Sequence, residues 1–279
     1  MAEAIIIQWK RLLIEAAVIV ASILLAFAID AWWDGRNNEA RERLALNDLA
    51  VELNQNIDQI DNVWLPRHYG TLINSLIVLR SITGLPVESA TYDQVLNRLQ
   101  NNPDWEPIIG EFYVNHVFEP SLGSEIVDYP VETPFFVVRG AQFSNTYGPS
   151  LAGLDLLFQS GFIGDLQDSE LRSRLAALPI ELNDLAEEED LLLNIVFNNL
   201  RPELNSSISD GIPLAILARG MNITPFAPDL VESLRMDTIT IQPSEGLARV
   251  LAERMAQNLT VILQMNVIRR RYVEILELL

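Results

Sequence analysis

The sequence predicts a mainly all-α protein. One N-terminal transmembrane helix runs on into a helical-bundle extramembrane domain, which carries an irregular, partly β insertion at about 104–148. Three observations carry that reading. The stretch Leu12–Trp33, LLIEAAVIVASILLAFAIDAWW, is apolar apart from Glu15, Ser22 and Asp30. Beyond it, apolar residues recur at spacings of three and four over long runs, the period of a helix with one buried face. A hydrophobic share of 49% over 279 residues leaves enough apolar surface to build a core after the span, which a disordered tail cannot do.

The chain divides into a tail at 1–11, a span at 12–33 and a domain at 34–279. As a helix rising 1.5 Å per residue, the span reaches roughly 33 Å, enough to cross a hydrocarbon core of about 30 Å. Lys10 and Arg11 flank one end. Trp32 and Trp33 close the other, where indole rings favour the headgroup layer. A cleaved secretory signal is the competing reading, with Lys10 and Arg11 as its basic region and Ala26-Phe27-Ala28 as a cleavage site. Glu15 argues against it, since a charge inside an apolar insertion segment is penalised by roughly 2.5–3.5 kcal/mol. The expectation is a retained anchor in a bacterial inner membrane. The compact basic flank places the N-terminus in the cytoplasm and the domain in the periplasm, although Arg36, Arg41 and Arg43 beyond the span nearly balance the count of bases.

At 100° per residue, Glu15, Ile19, Ser22, Ala26, Asp30 and Trp33 share one stripe of the span. Ser22 and Ala26, four apart, allow another helix to approach closely, and intramembrane acids usually face protein rather than lipid. The plainer alternative is that Glu15 and Asp30 each sit near an interface and reach into water. The span contains no histidine, so it offers no usual haem or chlorophyll ligand. No cofactor is expected.

Leu46, Leu49, Leu53, Ile57 and Ile60 continue a helical pattern out of the span with Gly35 as the one soft point, and Pro66 is expected to end it. Tyr69–Ile82 reads as a second helix closed by Gly84-Leu85-Pro86. Thr91-Tyr92-Asp93-Gln94 fits the capping box of a short third helix to Leu99. Residues 104–148 change character, with six of the fourteen prolines in or just beside them. The runs Phe112-Tyr113-Val114 and Phe135-Phe136-Val137-Val138 suggest strand, and a short hairpin is expected there. A helix at Ser150–Ser160 is stopped by Gly161. Asp168 or Ser169 caps the next, which runs towards Leu200 and is interrupted by Pro179. Residues 203–243 read as mixed and rich in turns. Ser244 then opens a final helix, Glu245–Leu279, with a broad apolar stripe and the basic cluster Arg269-Arg270-Arg271.

The formal net charge is −19, from 38 acids and 19 bases, nearly all of it beyond residue 36. Such a surface repels phosphate backbones, so nucleic acid is not an expected partner. There is no cysteine, which removes disulfides, thiolate metal sites and cysteine nucleophiles. The acidic run Glu181, Asp184, Glu187, Glu188, Glu189 and Asp190 lacks the loop and glycine of a calcium site and reads as a solvated face. The arginine cluster has three readings, pairing with that run, favouring the helix C-terminus, or meeting an acidic partner or headgroup, and internal pairing is the expected one.

The residues for catalysis are sparse. His68 and His116 are the two histidines, each read as a hydrogen-bonded surface or loop residue. The glycine-, serine- and histidine-based motifs of hydrolases, metalloproteases and nucleotide-binding folds are absent. A glycosidase-like pair such as Glu111 with Glu119 has almost no specificity among 38 acids. No catalytic, cofactor or metal residue is expected, and the chain is read as non-enzymatic.

The block Phe143–Leu175, FSNTYGPSLAGLDLLFQSGFIGDLQDSELRSRL, together with Asp30-Ala31-Trp32-Trp33-Asp34 and the arginine- and leucine-rich last helix, resembles a group of uncharacterised single-span bacterial inner-membrane proteins. Leu156, Ser160, Gly161, Ile163, Leu166, Asp168, Leu171 and Arg172 occupy the pattern. The resemblance covers the ends and middle of the chain and leaves out 104–142. It implies one span plus a helical domain, and brings no activity and no catalytic residues.

Two function classes follow. The first is a structural or accessory subunit of a larger membrane complex, of which respiratory and photosynthetic assemblies are examples, with lipid and other membrane-protein subunits as its partners. The alternative is a membrane-tethered sensor or receptor domain that binds a ligand. The eleven residues before the span leave little room for a sensor's output module, which favours the first.

Overall fold

A computed structural model describes residues 2–85, 126–166, 168–208 and 238–279. It is mainly α-helical, with two short strands among the described residues. In chain order the elements are α1 (Ala2–Gln59), a π-helical turn (Ile60–Trp64), α2 (Leu65–Ile82), β1 (Val131–Pro134), α3 (Phe135–Ala141), α4 (Ala152–Ser160) and α5 (Phe162–Asp165). There follow α6 (Ser169–Asn194), a second π turn (Ile195–Leu200), α7 (Arg201–Ser207), β2 (Thr238–Ile241) and α8 (Glu245–Leu278). The expected helix at Thr91–Leu99, the run Phe112–Val114, Glu111, His116 and Glu119 lie outside the described residues.

The helical expectation from the span to Ile82 holds. α1 is unbroken over 58 residues and passes through Gly35, where an added Cβ would meet nothing within 4 Å. The role expected of Pro66 is corrected: it stands at the start of α2 and the chain stays helical through it. A proline lacks an N–H, and its ring collides with the carbonyl four residues back. That carbonyl belongs to Asn62, inside the π turn, where the backbone is wound wider and the Leu65 N–H bonds to the Ile60 carbonyl five residues back. The same device recurs before Pro202, where the Arg201 N–H bonds to the Val196 carbonyl. α7 therefore carries the helix to Ser207, into the stretch expected to be turns. Pro179 lies inside α6 and does not end it.

The described chain forms two compact units. The first comprises Met1–Glu52, Leu151–Arg172 and Leu279. Here α4 lies against α1, with Leu154 and Leu157 buried on α4 and Ala45 and Leu49 buried on α1. Gly153 permits the approach: a Cβ there would stand 3.1 Å from both N and Cα of Leu49, and its N–H donates to Glu52 Oε2 at 2.8 Å. The resembling block has a physical meaning in this unit. Gly161 ends α4 with φ +77, the left-handed conformation that glycine adopts at low cost. Leu166 and Leu171 are buried. Asp168 caps α6, accepting the N–H groups of Glu170 at 2.8 Å and Leu171 at 3.0 Å. Arg172 donates back to the Leu166 carbonyl at 2.7 Å. The pattern encodes a helix–corner–helix.

The second unit comprises Leu53–Ser150 and Ser173–Leu278. α2 and α8 pack together, and α3 packs on α2. The core includes Leu72, Leu76 and Leu79 from α2 and Leu251, Ile262 and Ile268 from α8. Ser244 caps α8 through a 3.0 Å bond from the Leu247 N–H. The expected hairpin falls partly outside the described residues, and those from 126 to 148 form no strand pair among themselves. β1 pairs antiparallel with β2, more than a hundred residues away, with Thr133 opposite Ile239. The run Phe135-Phe136-Val137-Val138 is the start of α3, not a strand. Val137, Val138 and Ala141 are buried there, and their packing overrides the β preference of the residues.

Candidate functional site

Two features stand out from the packed helices: a bare span and a pinned strap. The span is the apolar part of α1, which is long and apolar enough to cross a membrane and is unburied along its most apolar window. Glu15, Ile19, Ser22, Ala26, Asp30 and Trp33 are all exposed. Ser22 donates its hydroxyl to the Val18 carbonyl at 2.8 Å, so its polarity is satisfied within the helix. Asp30 has no hydrogen-bond or ion-pair partner among the described residues. At the Trp end, Arg36 lies 5.2 Å from the centre of the Trp32 ring, a cation–π arrangement. From Asp34 to Arg43, the described side chains remain outside the packed interior, and Ala45 is the first buried one among the described side chains of α1. At 1.5 Å per residue, about 18 Å of helix separates Trp33 from that point.

The strap is the segment from Gln142 to Ser150, which joins α3 to α4 without regular structure. A backbone without its own ladder must find other partners for its buried groups, and here polar side chains supply them. Arg254 on α8 donates to the Phe143 carbonyl and, at 3.0 Å, to Ser75 Oγ. Glu189 on α6 accepts the Tyr147 N–H through both carboxylate oxygens, at 2.8 and 3.0 Å. The end of α1 contributes Asn56, which donates to the Ser150 carbonyl at 2.8 Å and accepts its N–H at 3.3 Å. The Tyr147 ring meets Trp64 edge-on at 6.0 Å, and its hydroxyl lies 3.3 Å from that of Tyr272. Under the strap, Trp64, His68, Thr71, Phe143 and Ser144 border a cavity of about 10 Å³, close to the volume one water needs.

The charges beneath the strap are perturbed by burial. Arg254 is 0% exposed, has no carboxylate partner among the described residues, and is pushed down to about 9 by desolvation. His68 is held near 4, mainly by burial and further by the charge of Arg254, against the opposing hydrogen bond to Asn258. It donates from Nδ1 to Asn258 Oδ1 at 2.7 Å, while the Asn258 amide donates to the His68 carbonyl at 2.8 Å. Glu189 is pushed up to about 7, first by burial and further by Asp190, against the Tyr147 N–H.

Several expectations change here. His68 is a buried helix residue, not a surface or loop one. The acidic run is not a uniform solvated face: Glu189 is 2% exposed, Glu188 accepts from Gln257 at 2.6 Å and Glu181 accepts from Arg271 at 2.6 Å. Internal pairing of the arginine cluster holds for Arg271 and extends to Arg269, which pairs with Asp61 at 2.5 and 2.8 Å. Sequence reasoning missed Arg254, Asn258, Tyr147 and Tyr272, because each is defined by a partner 40 to 200 residues away. The period of α8 could have flagged Arg254 and Asn258, polar residues set among its apolar positions. No group of three or more His, Asp or Glu side chains among the described residues is placed to hold a metal ion. No protein-family model, curated protein or solved structure matches the chain.

Proposed function

We propose that this chain is a non-enzymatic, membrane-anchored accessory subunit of a larger bacterial membrane complex, whose span packs against other helices through its polar and small-residue stripe. One observation supports this most: the stripe of Ser22, Ala26 and Asp30 is exposed and has no packing partner among the described residues, which leaves it open to lipid or another protein. An acid facing acyl chains is costly. Small residues four apart gain dispersion contacts only when a second backbone comes close.

Interhelical hydrogen bonds in membranes contribute only about 0.6–2 kcal/mol each, so bulk should matter more than polarity. Ser22→Leu with Ala26→Leu holds the partner backbone away. Val20→Phe with Leu24→Phe adds bulk on the opposite face and serves as the control. The stripe variant should insert normally yet fail to co-purify with its partners after gentle detergent extraction, while the control co-purifies. Equal co-purification of the two would make the span a lipid-facing tether and end this reading.

The domain is placed on the periplasmic side of the inner membrane in this proposal, with the N-terminus in the cytoplasm. A cell-impermeant protease added to spheroplasts should therefore digest the chain from about residue 40 onwards. Protection until detergent is added would reverse the orientation.

A further inference from the structure

We propose that Glu189 is a proton-controlled clasp on the strap, which holds Gln142–Ser150 tightest when its carboxyl group carries a proton and loosens it when that proton is lost. The geometry carries the argument. Ionised carboxylates in a protein interior are normally held by two or three donors or by a cation. Glu189 is buried, and its two oxygens share one donor, the N–H of Tyr147. Among the described residues, the groups around it add no further donor. Tyr147, across from it on the strap, turns its hydroxyl to Tyr272 of α8. Arg254 of α8 donates instead to Phe143 and Ser75. On its own helix, Asp190 is a like charge, and Glu188 is bonded to Gln257.

A neutral carboxyl group keeps one oxygen as an acceptor for Tyr147 and avoids burying a charge. An ionised group gains from water, and release of the strap removes the Tyr147 contact that covers it. The strap is also suited to moving as a piece. Beyond the Gln142 and Phe143 N–H groups, which bond back to the Arg139 and Gly140 carbonyls, its described backbone hydrogen bonds are with side chains rather than a ladder, and Glu189 binds it between the Phe143 and Ser150 fastenings. The direction of the Glu189 shift, upwards to about 7, agrees with this. Opening should become easier as pH rises from about 4.5, the ordinary carboxyl value, to about 7, and level off above that.

The test is amide hydrogen exchange on the full-length protein in detergent between pH 4.5 and 8, with each rate divided by its intrinsic chemical rate. Protection of the 143–150 amides should fall by up to tenfold per pH unit from pH 4.5 to 7, while central α8 amides stay protected. Glu189→Gln retains a carbonyl acceptor and cannot titrate, so its strap protection should lose this slope. Asp190→Asn removes the neighbouring like charge at the surface and should move the upper end of the window to lower pH. A wild-type strap insensitive to pH, or a Glu189→Gln strap with the wild-type slope, overturns the proposal. If Glu189→Gln also loses α8 protection and so fails to fold, Asp190→Asn decides: a profile identical to wild type overturns the clasp, and a shifted one supports it.

Discussion

Replacing Gly153 with leucine should strip α4 from α1 in the first unit. The space for a side chain at 153 is already taken, since even a Cβ would stand 3.1 Å from the backbone of Leu49 and 3.0 Å from Glu52 Oε2. A carboxylate can swing aside, but a helical backbone cannot. The larger side chain would separate the helices, break the Gly153–Glu52 bond and uncover Leu154 and Leu157. At about 1.5–3 kcal/mol for each buried leucine, the expected loss is about 3–6 kcal/mol for that unit. Gly164→Leu is the control, because nothing lies within 4 Å of a Cβ at that position. Amides of 152–160 should lose their exchange protection in the first variant and keep it in the second. Equal protection in both would mean that α4 is not held through this contact.

The second large effect is a pair of opposed pH dependences. His68 titrates near 4 in the fold against an ordinary 6.5. Between those values the unfolded chain binds more protons, so the His68 contribution is complete above pH 6.5 and is lost as pH falls towards 4. Glu189 has the opposite sign. Its value is raised from 4.5 to about 7, so the folded chain binds more protons, and its contribution is complete below pH 4.5 and is lost as pH rises through 7. Each slope is at most about 1.4 kcal/mol per pH unit. From pH 4.5 to 6.5 the two offset one another in the wild type. His68→Leu should leave a fold that weakens with rising pH relative to wild type, and Glu189→Gln one that strengthens. Thermal midpoints in detergent at constant ionic strength would show the two variants diverging in opposite directions. Parallel profiles would mean that neither group is titrating from the buried position described here.

The sequence by itself determined the elements that depend on neighbours along the chain. The apolar run that makes the span is local, and so are the cap at Asp168, the left-handed glycine at 161 and the Ser244 start of α8. Each follows from residues within a turn or two of one another, and each is found where the pattern places it. Even the arginine cluster was readable as an internal partner for acids, because a charge of −19 leaves carboxylates within reach of almost any base.

Only the tertiary structure decided the remainder. Pro66 and Pro202 look like helix ends in sequence, yet a π turn before each one moves aside the carbonyl that a proline ring would strike. Phe135–Val138 reads as strand and is helix, because burial against α2 contributes more than the β preference of four residues. The acidic run reads as solvated, but the packing of α6 turns Glu189 inwards onto a strap that lies 42 residues earlier in the chain. The same holds for His68 with Asn258, 190 residues apart. Local sequence sets backbone propensity and polarity. Which polar side chain is desolvated depends on what folds over it, and that is fixed only when distant segments meet.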